Sequence, residues 1–260
     1  MNQSQSHLKI LAADISPYVL MPGDPARVDI IGKYFDNFRI ISNNREFKVG
    51  AGNYRGVKIT VCSTGIGCPS TAVATEELIN AGARYLIRVG TCGGAWRADI
   101  PVGSLIIPTA CVRDEGTTVE YVPRGFPAVA DFNLVSALSD SARQNKFKYF
   151  IGINRTHDAF YGAQAAVKKW GGYLLDERWQ KYDTPILSSE MECAALFIVA
   201  SLRGVKAGAI LAVNSASEPL KDRLVGVKQE VATESGSDIT NITVDNMIRT
   251  ALETLCSLKN

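Results

Sequence analysis

The sequence predicts an α/β protein whose central sheet is covered by helices on both faces. Short runs rich in Val, Ile and Leu alternate along the chain with longer segments of helical periodicity. Runs that are apolar throughout, without a polar face, are typical of strands that are buried on both sides of a sheet. No Pro/Gly/Ser-rich linker and no internal repeat divides the chain, so we expect one domain over residues 1–260.

The apolar runs predict strands and the periodic segments predict helices. The strands are Tyr18–Met21, Val57–Cys62, Tyr85–Val89, Ser104–Pro108, Lys148–Ile153 and Ala207–Val213. The helices are Pro25–Tyr34, Pro69–Ala81, Asp131–Gln144, Met191–Arg203 and Thr243–Leu258. The fourth helix is apolar almost all round from Cys193 onward, so we expect it inside the protein. The polar stretch Glu218–Ile239 is weakly periodic, and we expect a surface loop or lid with some helix there.

Composition excludes several classes of function. The chain is 46% hydrophobic and 21% charged with a net charge of +2, which argues against a dedicated nucleic-acid surface and a polybasic membrane patch. No apolar segment approaches the ~20 residues that a membrane span needs, and the N-terminal residues lack a signal-peptide pattern. The six cysteines form no CxxC pair, so we expect buried free thiols in a cytoplasmic protein. With two histidines, a histidine-rich metal centre is excluded.

A first candidate anion site is the turn MPGDPARV, Met21–Val28. Gly23 permits a tight turn after the strand, Asp24 is a good N-cap, and Pro25 suits the first helical position. Backbone N–H groups at the positive end of a helix attract anions, and Arg27 adds a fixed charge in the first turn. The alternative interpretation is an ordinary capped helix with a surface arginine.

Two further turns follow apolar strands. STGIGCPS, Ser63–Ser70, is not a GxGxxG fingerprint and lacks the acidic residue that would hold a ribose about 20 positions on, so a Rossmann site is weakly supported. In LIRVGTCGG, Leu86–Gly94, Arg88 interrupts an apolar strand and requires an anionic partner, because an unpaired buried guanidinium is costly. That partner is a structural carboxylate or an anionic ligand. The hydroxyl and N–H groups of Thr91–Gly94 favour the ligand.

Three arginines and two N–H-rich turns suit an oxyanion with several acceptor oxygens. Arg45 in NNREF is the third arginine, although by itself it would be interpreted as solvated surface. Planar guanidinium groups bind phosphate with two hydrogen bonds each, so we expect phosphate. The Walker pattern GxxxxGK[ST] is absent, which argues against the phosphates of ATP in a P-loop.

The stretch SSEMECAALF places two acids at the mouth of the buried helix. Carboxylates accept hydrogen bonds from vicinal diols, so Glu192 is a candidate for holding the hydroxyls of a ribose while Met191 packs against the sugar. The alternative is that Glu192 pairs with a buried arginine for structural reasons. Glu190 is the more ordinary of the two acids, because an acid at a helix N-terminus is favoured by the macrodipole.

Together these motifs resemble the nucleoside phosphorylases of the purine/uridine type, most closely the bacterial uridine phosphorylases. The matching segments are MPGDPARV, NNREF, STGIGCPSTAVATEEL, LIRVGTCG, FPAVADF, DAFYGAQ and SSEMECAALF, in the family's order from about His7 to Lys206. The resemblance implies a three-layer α/β sandwich with a mixed, partly barrel-like central sheet, and a homohexamer built as a trimer of dimers. It also implies reversible phosphorolysis, in which a nucleoside and the co-substrate phosphate give free base and ribose 1-phosphate without an organic cofactor.

The resemblance assigns roles to residues position by position. Phosphate would be bound by Gly23, Arg27, Arg88 and Thr91, with Arg45 reaching it from the neighbouring subunit. Ribose would be held by Met191 and Glu192, with His7 from the neighbour at the 5′-hydroxyl. The base would be bordered by Cys92, Gly93, Phe160 and Gln164. Arg88 and Glu192 would carry catalysis, and a potassium ion at the dimer interface would be held at Glu46, Ile66 and Ser70.

Two departures from the family pattern keep the base open. Uridine phosphorylases have an arginine two residues after the glutamine that matches Gln164, whereas this chain has Ala166 there. Ser215 stands where uridine phosphorylases often carry arginine and where hexameric purine enzymes have an aspartate that acts on purine N7. The alternatives are therefore a phosphorylase of purine nucleosides or methylthioadenosine, a nucleosidase that uses water, and a silent nucleoside-binding protein.

Overall fold

The fold is a mixed β-sheet flanked by helices, seen in a computed structural model that describes residues 4–93, 100–161, 186–215 and 238–258. Its strands are β1 (Tyr18–Met21), β2 (Asp36–Asn44), β3 (Phe47–Tyr54), β4 (Val57–Cys62), β5 (Tyr85–Cys92), β6 (Leu105–Asp114), β7 (Ala128–Val129), β8 (Tyr149–His157), β9 (Ile186–Glu190) and β10 (Lys206–Val213). Its helices are α1 (Pro25–Gly32), α2 (Cys68–Asn80), α3 (Thr118–Tyr121), α4 (Phe132–Gln144), α5 (Cys193–Leu202) and α6 (Asp238–Ser257).

One sheet joins all the described strands in the order β2-β3-β4-β1-β5-β10-β6-β8-β9, with β7 paired to β6. Strands β4, β1, β5 and β10 run parallel, whereas β2 and β3 form an antiparallel extension of β4. Strand β6 runs antiparallel to β10, and β8 and β9 then continue parallel to β6. This mixture of parallel and antiparallel pairing confirms the mixed sheet that the resemblance implied.

The sheet also curls back on itself, which confirms the partly barrel-like form. Gly93, just beyond β5, forms an antiparallel bridge with Ser189 of β9, and its N–H donates to the Ser189 carbonyl at 3.1 Å. Five strands, β5, β10, β6, β8 and β9, thus come close to a ring. Side chains that point into this ring from β5, β8 and β9 are brought within hydrogen-bond distance although they are far apart in sequence.

The helices pack in layers against the sheet. Helices α2 and α5 contact each other, α4 and α6 form a second packed pair, and both pairs contact the strands. Every residue of α5 from Cys193 to Ala200 is buried, as its all-round apolar sequence predicted. Each large side chain in such a position stabilises the fold by about 1.5–3 kcal/mol, so α5 is firmly seated and its N-terminus gives a fixed platform for the residues before it.

The predicted helices and strands are present, with shifted ends. Helix α6 begins five residues before the predicted start, and β6 and β8 extend several residues beyond their apolar cores. The sequence patterns did not predict β2, β3, β7, β9 or α3. Strand β2 is mostly exposed and polar, and β3 contains Gly50 and Gly52, so neither has the apolar run that marks an interior strand. Strand β9 and helix α3 are short, and β7 has two residues.

Three further expectations concern membrane helices, the 218–239 loop and the cysteines. None of the described helices is long and apolar enough to cross a membrane. The predicted loop or lid at 218–239 lies outside the described residues, except that its last two residues begin α6. The prediction of buried thiols is confirmed for five of the six cysteines, and Cys256 is partly exposed.

Candidate active site

The site centres on Arg88, which projects from β5 between two glutamates. Its Nε donates to Oε2 of Glu190 at 3.0 Å, and its Nη2 donates to Oε2 of Glu192. All three side chains are buried, so the charges meet away from water, where an ion pair is screened little. The sequence left open whether the partner of Arg88 is a carboxylate or a ligand, and the structure shows two carboxylates.

One nitrogen of the same guanidinium has no such partner. Nη1 of Arg88 is buried and has no hydrogen-bond partner among the described residues. A Cβ placed on Gly23 would lie 3.8 Å from this nitrogen, so Nη1 faces the turn that follows β1. Because an unsatisfied buried donor costs about 1–3 kcal/mol, its presence points to a ligand with an acceptor atom at this position.

The turns after β1 and β4 lie side by side and line this space. Thr64 N–H donates to the Pro22 carbonyl at 2.9 Å, and Gly65 N–H donates to the Gly23 carbonyl at 3.0 Å. Asp24 caps α1, because its carboxylate accepts from Ala26 N–H at 2.8 Å. The turn, N-cap and helix start that the sequence predicted here are therefore confirmed.

Arg27 and Thr91 complete the arginine side of the site. Arg27 is buried in α1 rather than on the surface, and its Nη1 donates to the Val89 carbonyl of β5 at 3.4 Å. It thus lies against the strand that carries Arg88. Thr91 is half-buried near the end of β5. The structure brings Gly23, Arg27, Arg88 and Thr91 to one edge of the sheet, and these are four of the five residues that the resemblance assigns to phosphate.

Glu192 closes the other side of the site from the N-cap of α5. Its Oε1 accepts from Gly67 N–H at 2.6 Å, at the start of α2, and its Oε2 accepts from Arg88 Nη2 and from Met191 N–H, the last at 3.2 Å. Glu192 thus ties β5, α2 and α5 together. The Met191 side chain is half-buried beside it.

The pKa values of the two carboxyls next to Arg88 are shifted in opposite directions. Burial by itself raises the pKa of Glu190, but the charge of Arg88 and the hydrogen bonds to this carboxylate hold the pKa below its ordinary value. The pKa of Glu192 lies above its ordinary value, because burial together with the charge of Glu190 outweighs the opposing charge of Arg88. Such a separation is frequent where two acids share one functional site.

Two of the four residues predicted to border the base, Cys92 and Gly93, lie at the seam between β5 and β9. Cys92 is buried, and burial raises the pKa of its thiol to about 12, so it stays protonated and is no nucleophile. A Cβ on Gly93 would lie 3.7 Å from Ser189 Oγ and 3.8 Å from Ser215 Oγ, so two hydroxyls flank this position. Phe160 is 60% exposed on the surface. Gln164 lies outside the described residues.

His7 lies next to the β2–β3 turn that carries Arg45. Asn44, next to Arg45, donates from Nδ2 to the His7 carbonyl at 2.7 Å. The ring Nδ1 of His7 is 2.7 Å from Oε1 of Glu77 on α2, and both Glu77 oxygens accept from His7 N–H at 3.0 Å. Arg45 is exposed in the β2–β3 turn with φ 56°. His7 is thus half-buried against α2, whereas Arg45 is exposed, and neither has a hydrogen bond to Arg88 among the described residues.

Glu46, Ile66 and Ser70 also meet, around Gly65. A Cβ on Gly65 would lie 2.8 Å from Cβ of Glu46 and 3.4 Å from Oγ of Ser70. Ser70 Oγ donates to the Ile66 carbonyl at 3.2 Å, and the Ile66 side chain is 79% exposed. The predicted cation ligands are therefore neighbours.

The sequence analysis assigned Glu190 only a role at the helix N-terminus and did not predict its contacts with Asn154 and Thr156. Glu190 is the last residue of β9, and its carboxylate accepts from the N–H groups of Glu192 and Cys193, so it does act on the helix N-terminus as predicted. It also accepts from Asn154 and Thr156 of β8. Asn154 and Thr156 are two residues apart in β8, so both side chains lie on the same face of the strand, and both are buried.

Comparison with known proteins agrees with this architecture. Residues 17–249 match the model of the phosphorylase superfamily. The chain is 41% identical over 208 residues to a uridine phosphorylase of Treponema pallidum, covering 80% of each chain, and 37% identical over 211 residues to a guanosine phosphorylase of Halorubrum lacusprofundi, covering 81% of this chain and 83% of that protein.

Solved structures of similar proteins cover nearly the whole chain. The structure of uridine phosphorylase from Vibrio fischeri is 35% identical, with a TM-score of 0.79 and 98% of both chains covered. The structure of purine nucleoside phosphorylase from Toxoplasma gondii in complex with immucillin-H is 27% identical, with a TM-score of 0.82 and coverage of 99% of this chain and 97% of that one. The chain therefore belongs to the phosphorylase superfamily.

Proposed function

We propose that this protein catalyses the reversible phosphorolysis of a nucleoside, with uridine as the favoured substrate. Nucleoside and phosphate give free base and ribose 1-phosphate, and the reaction calls for phosphate as co-substrate and for no organic cofactor. The observation that carries this proposal is the buried Nη1 of Arg88, which has no hydrogen-bond partner in the described part of the chain and faces the Gly23 turn beside the Glu192 carboxylate. An anion and a sugar bound at these two groups would be adjacent.

Phosphate fits the arginine side of the site. Nη1 of Arg88 offers one donor, Arg27 brings a second guanidinium against β5, and the turn at Gly23 leads into the N-terminus of α1. Charge-assisted hydrogen bonds to phosphate are about twice as strong as neutral ones. Arg88 pairs with both Glu190 and Glu192, and Arg27 lies against β5, so the formal charges of these two arginines and two glutamates sum to zero.

Ribose fits the Glu192 side. A carboxylate has about four lone-pair directions, and Glu192 uses three of them, the bond from Met191 N–H being the longest at 3.2 Å. A vicinal diol donates two hydrogen bonds. One of them goes to the remaining lone pair of Oε1, and the other replaces the bond from Met191 N–H to Oε2. Holding the diol in this way turns C1′ toward the phosphate.

The chemistry then needs positioning and electrostatics rather than a covalent nucleophile. As the glycosidic bond breaks, positive charge builds on the ribose ring and negative charge builds on the leaving base. The phosphate stabilises the cationic sugar and captures it at C1′, so the electron pair of the broken bond stays with the base. Uracil is acidic enough to leave with little help, which suits a pocket lined by hydroxyl groups such as those of Ser189 and Ser215.

A purine nucleoside is the second candidate substrate. The 37% identity to a guanosine phosphorylase and the absence of the uracil-reading arginine at Ala166 favour it. Uridine remains the first choice because several relatives at 34–41% identity are uridine phosphorylases.

A nucleoside panel tests the proposed function. Uridine, inosine, guanosine, adenosine and methylthioadenosine are incubated with the enzyme, with and without phosphate, and base and ribose 1-phosphate are quantified by chromatography. We expect base release from uridine only when phosphate is present, with equal amounts of ribose 1-phosphate. Base release without phosphate would make the protein a nucleosidase, and binding without turnover would make it a silent binding protein.

We also propose that the site is completed by a second copy of the chain within a homohexamer, through His7 and Arg45. The placement of His7 next to the turn that carries the exposed Arg45 supports this arrangement. Mixing an Arg45→Ala variant with a Glu192→Ala variant after dissociation would restore one intact site in each mixed dimer, or about a quarter of the wild-type activity. No recovery in mixed samples would refute a shared site.

A monovalent cation such as potassium at that dimer interface is a further part of the proposal. A carboxylate, a carbonyl and a hydroxyl oxygen from Glu46, Ile66 and Ser70 suit a hard cation. The exposed Ile66 side chain beside them suits an interface. Sedimentation of the oligomer in potassium and in tetramethylammonium buffer tests this assignment.

The proposal treats residues 1–260 as one catalytic domain that acts in the cytoplasm. A single sheet joins strands from residue 18 to residue 213, which supports one domain. Five buried free thiols support a reducing compartment.

A further inference from the structure

Glu190 is saturated with hydrogen bonds from the side that faces Arg88 and α5. Its Oε2 accepts from Arg88 Nε at 3.0 Å, from Glu192 N–H at 2.8 Å and from Cys193 N–H at 2.9 Å. The Glu190 side chain is 2% exposed. Oε2 already accepts three hydrogen bonds and has no lone pair left for a substrate. Glu190 therefore acts through the groups to which it is bonded.

The opposite side of the same carboxylate is anchored to β8. Oε1 accepts from Asn154 Nδ2 at 3.0 Å and from Thr156 Oγ1 at 2.7 Å. Asn154 is held in turn by Ser188 Oγ, which donates to its Oδ1 at 2.8 Å, and Thr156 Oγ1 accepts from Ala194 N–H at 3.1 Å. All these groups are buried. A buried polar network in which every member is paired is rigid, because any rotation leaves a donor or acceptor unsatisfied.

The bonds to Glu190 and Glu192 determine where Nη1 of Arg88 points. A guanidinium is planar, so its orientation is determined once Nε is bonded to Glu190 and Nη2 is bonded to Glu192. The remaining Nη1 then faces the Gly23 turn. If Glu190 were absent, Arg88 could rotate about its side chain and pair both terminal nitrogens with Glu192, which would withdraw Nη1 from the turn.

We propose that Glu190 is a positioning residue, which holds the Arg88 guanidinium in the orientation that presents Nη1 to phosphate. This inference rests on the proposed phosphorolysis and adds a residue that does not touch either substrate. The ionised carboxylate is the active form, and the five hydrogen bonds to it keep it ionised at neutral pH.

The test compares two substitutions of Glu190 with a matched control in the same network. Glu190→Gln keeps the shape and removes the charge, and Glu190→Asp keeps the charge and withdraws it by one methylene. Thr156→Val removes a hydrogen bond to Oε1 without touching Arg88. For each variant, KM for phosphate and for nucleoside, kcat, phosphate binding by calorimetry and thermal stability are measured.

We expect KM and Kd for phosphate to rise by about tenfold or more in both Glu190 variants, because the charge-assisted contact at Nη1 is misdirected. Thr156→Val should lower thermal stability with a change in phosphate KM of less than about threefold. Should Glu190→Gln fail to fold, Glu190→Asp decides the question by itself.

Two outcomes overturn the inference, and they differ from each other. If the Glu190 variants lose stability but bind phosphate as the wild type does, the residue is only structural and the proposed phosphorolysis stands. If wild-type protein neither binds phosphate nor depends on it for turnover, the proposed function fails and this inference fails with it.

Discussion

Replacing Arg88 by lysine tests the centre of the site while keeping its charge. The Arg88 guanidinium makes two hydrogen bonds, from Nε to Glu190 at 3.0 Å and from Nη2 to Glu192, and its Nη1 faces the Gly23 turn. A lysine ammonium is a single nitrogen and cannot span two carboxylates and an anion in the geometry of the planar fork. We therefore expect the variant to retain an ion pair and lose the contact to phosphate.

The structure sets the size of the effect. A hydrogen bond to a charged group contributes about 1.5–3 kcal/mol, so KM for phosphate should rise about 10–150-fold in Arg88→Lys. The free energy of unfolding should fall by about 1–3 kcal/mol, because one buried hydrogen bond is lost. Arg88→Met, which leaves both buried carboxylates without a cation, should cost about 3–5 kcal/mol.

Initial rates at varied phosphate and saturating nucleoside measure the first quantity, and urea unfolding measures the second. Arg203→Lys is the matched control, since Arg203 pairs with Glu76 at 2.8 Å on the surface, where an ion pair contributes about 0–1 kcal/mol. Its phosphate KM should stay within about twofold of the wild type. A folded Arg88→Lys variant with wild-type phosphate KM would refute the reasoning.

Three further predictions concern other parts of the molecule. Glu192→Ala should raise the nucleoside KM by about tenfold or more, with phosphate Kd from calorimetry changed by less than about threefold; equal losses would contradict separate sites. Burial and the charge of Arg155 lower the pKa of His157, so the unfolded chain binds the proton more tightly. The free energy of unfolding should therefore fall as the pH drops through about 6.5. In urea unfolding at pH 5–7, His157→Gln should make the free energy of unfolding less dependent on pH. An unchanged pH dependence in this variant would contradict the prediction. Among the thiols, Cys256 should react first with a thiol reagent in native protein, and the others should react only in denaturant, as mass spectrometry would detect.

Local sequence was enough to predict several parts of the fold. The cap and first turn of α1 follow from Asp24 and Pro25, and the burial of α5 follows from its all-apolar composition. Both features depend on residues within a few positions of one another. The β2–β3 hairpin escaped prediction because β2 is polar and mostly exposed and because Gly50 and Gly52 interrupt the apolar run of β3, although β3 packs against the core.

The candidate site divides in the same way. Motif resemblance gathered Gly23, Arg27, Arg88 and Glu192 into one expected site, and the structure places them together at one edge of the sheet. The role of Glu190 could not be predicted from its sequence neighbours, because it depends on contact with Arg88, which lies 102 residues earlier in the chain.

The sequence by itself determined the chemistry available to this protein: arginines in and beside apolar strands, acids at the mouth of a buried helix, and turns rich in N–H groups. Only the tertiary structure decided which acid is saturated with hydrogen bonds, which acid retains a free lone pair, and which arginine nitrogen has no partner among the residues described. The reason is physical. Whether each polar group in a buried cluster is hydrogen-bonded depends on all the other groups in the cluster. The curling of the sheet, which brings β5 against β9, determines which residues form that cluster.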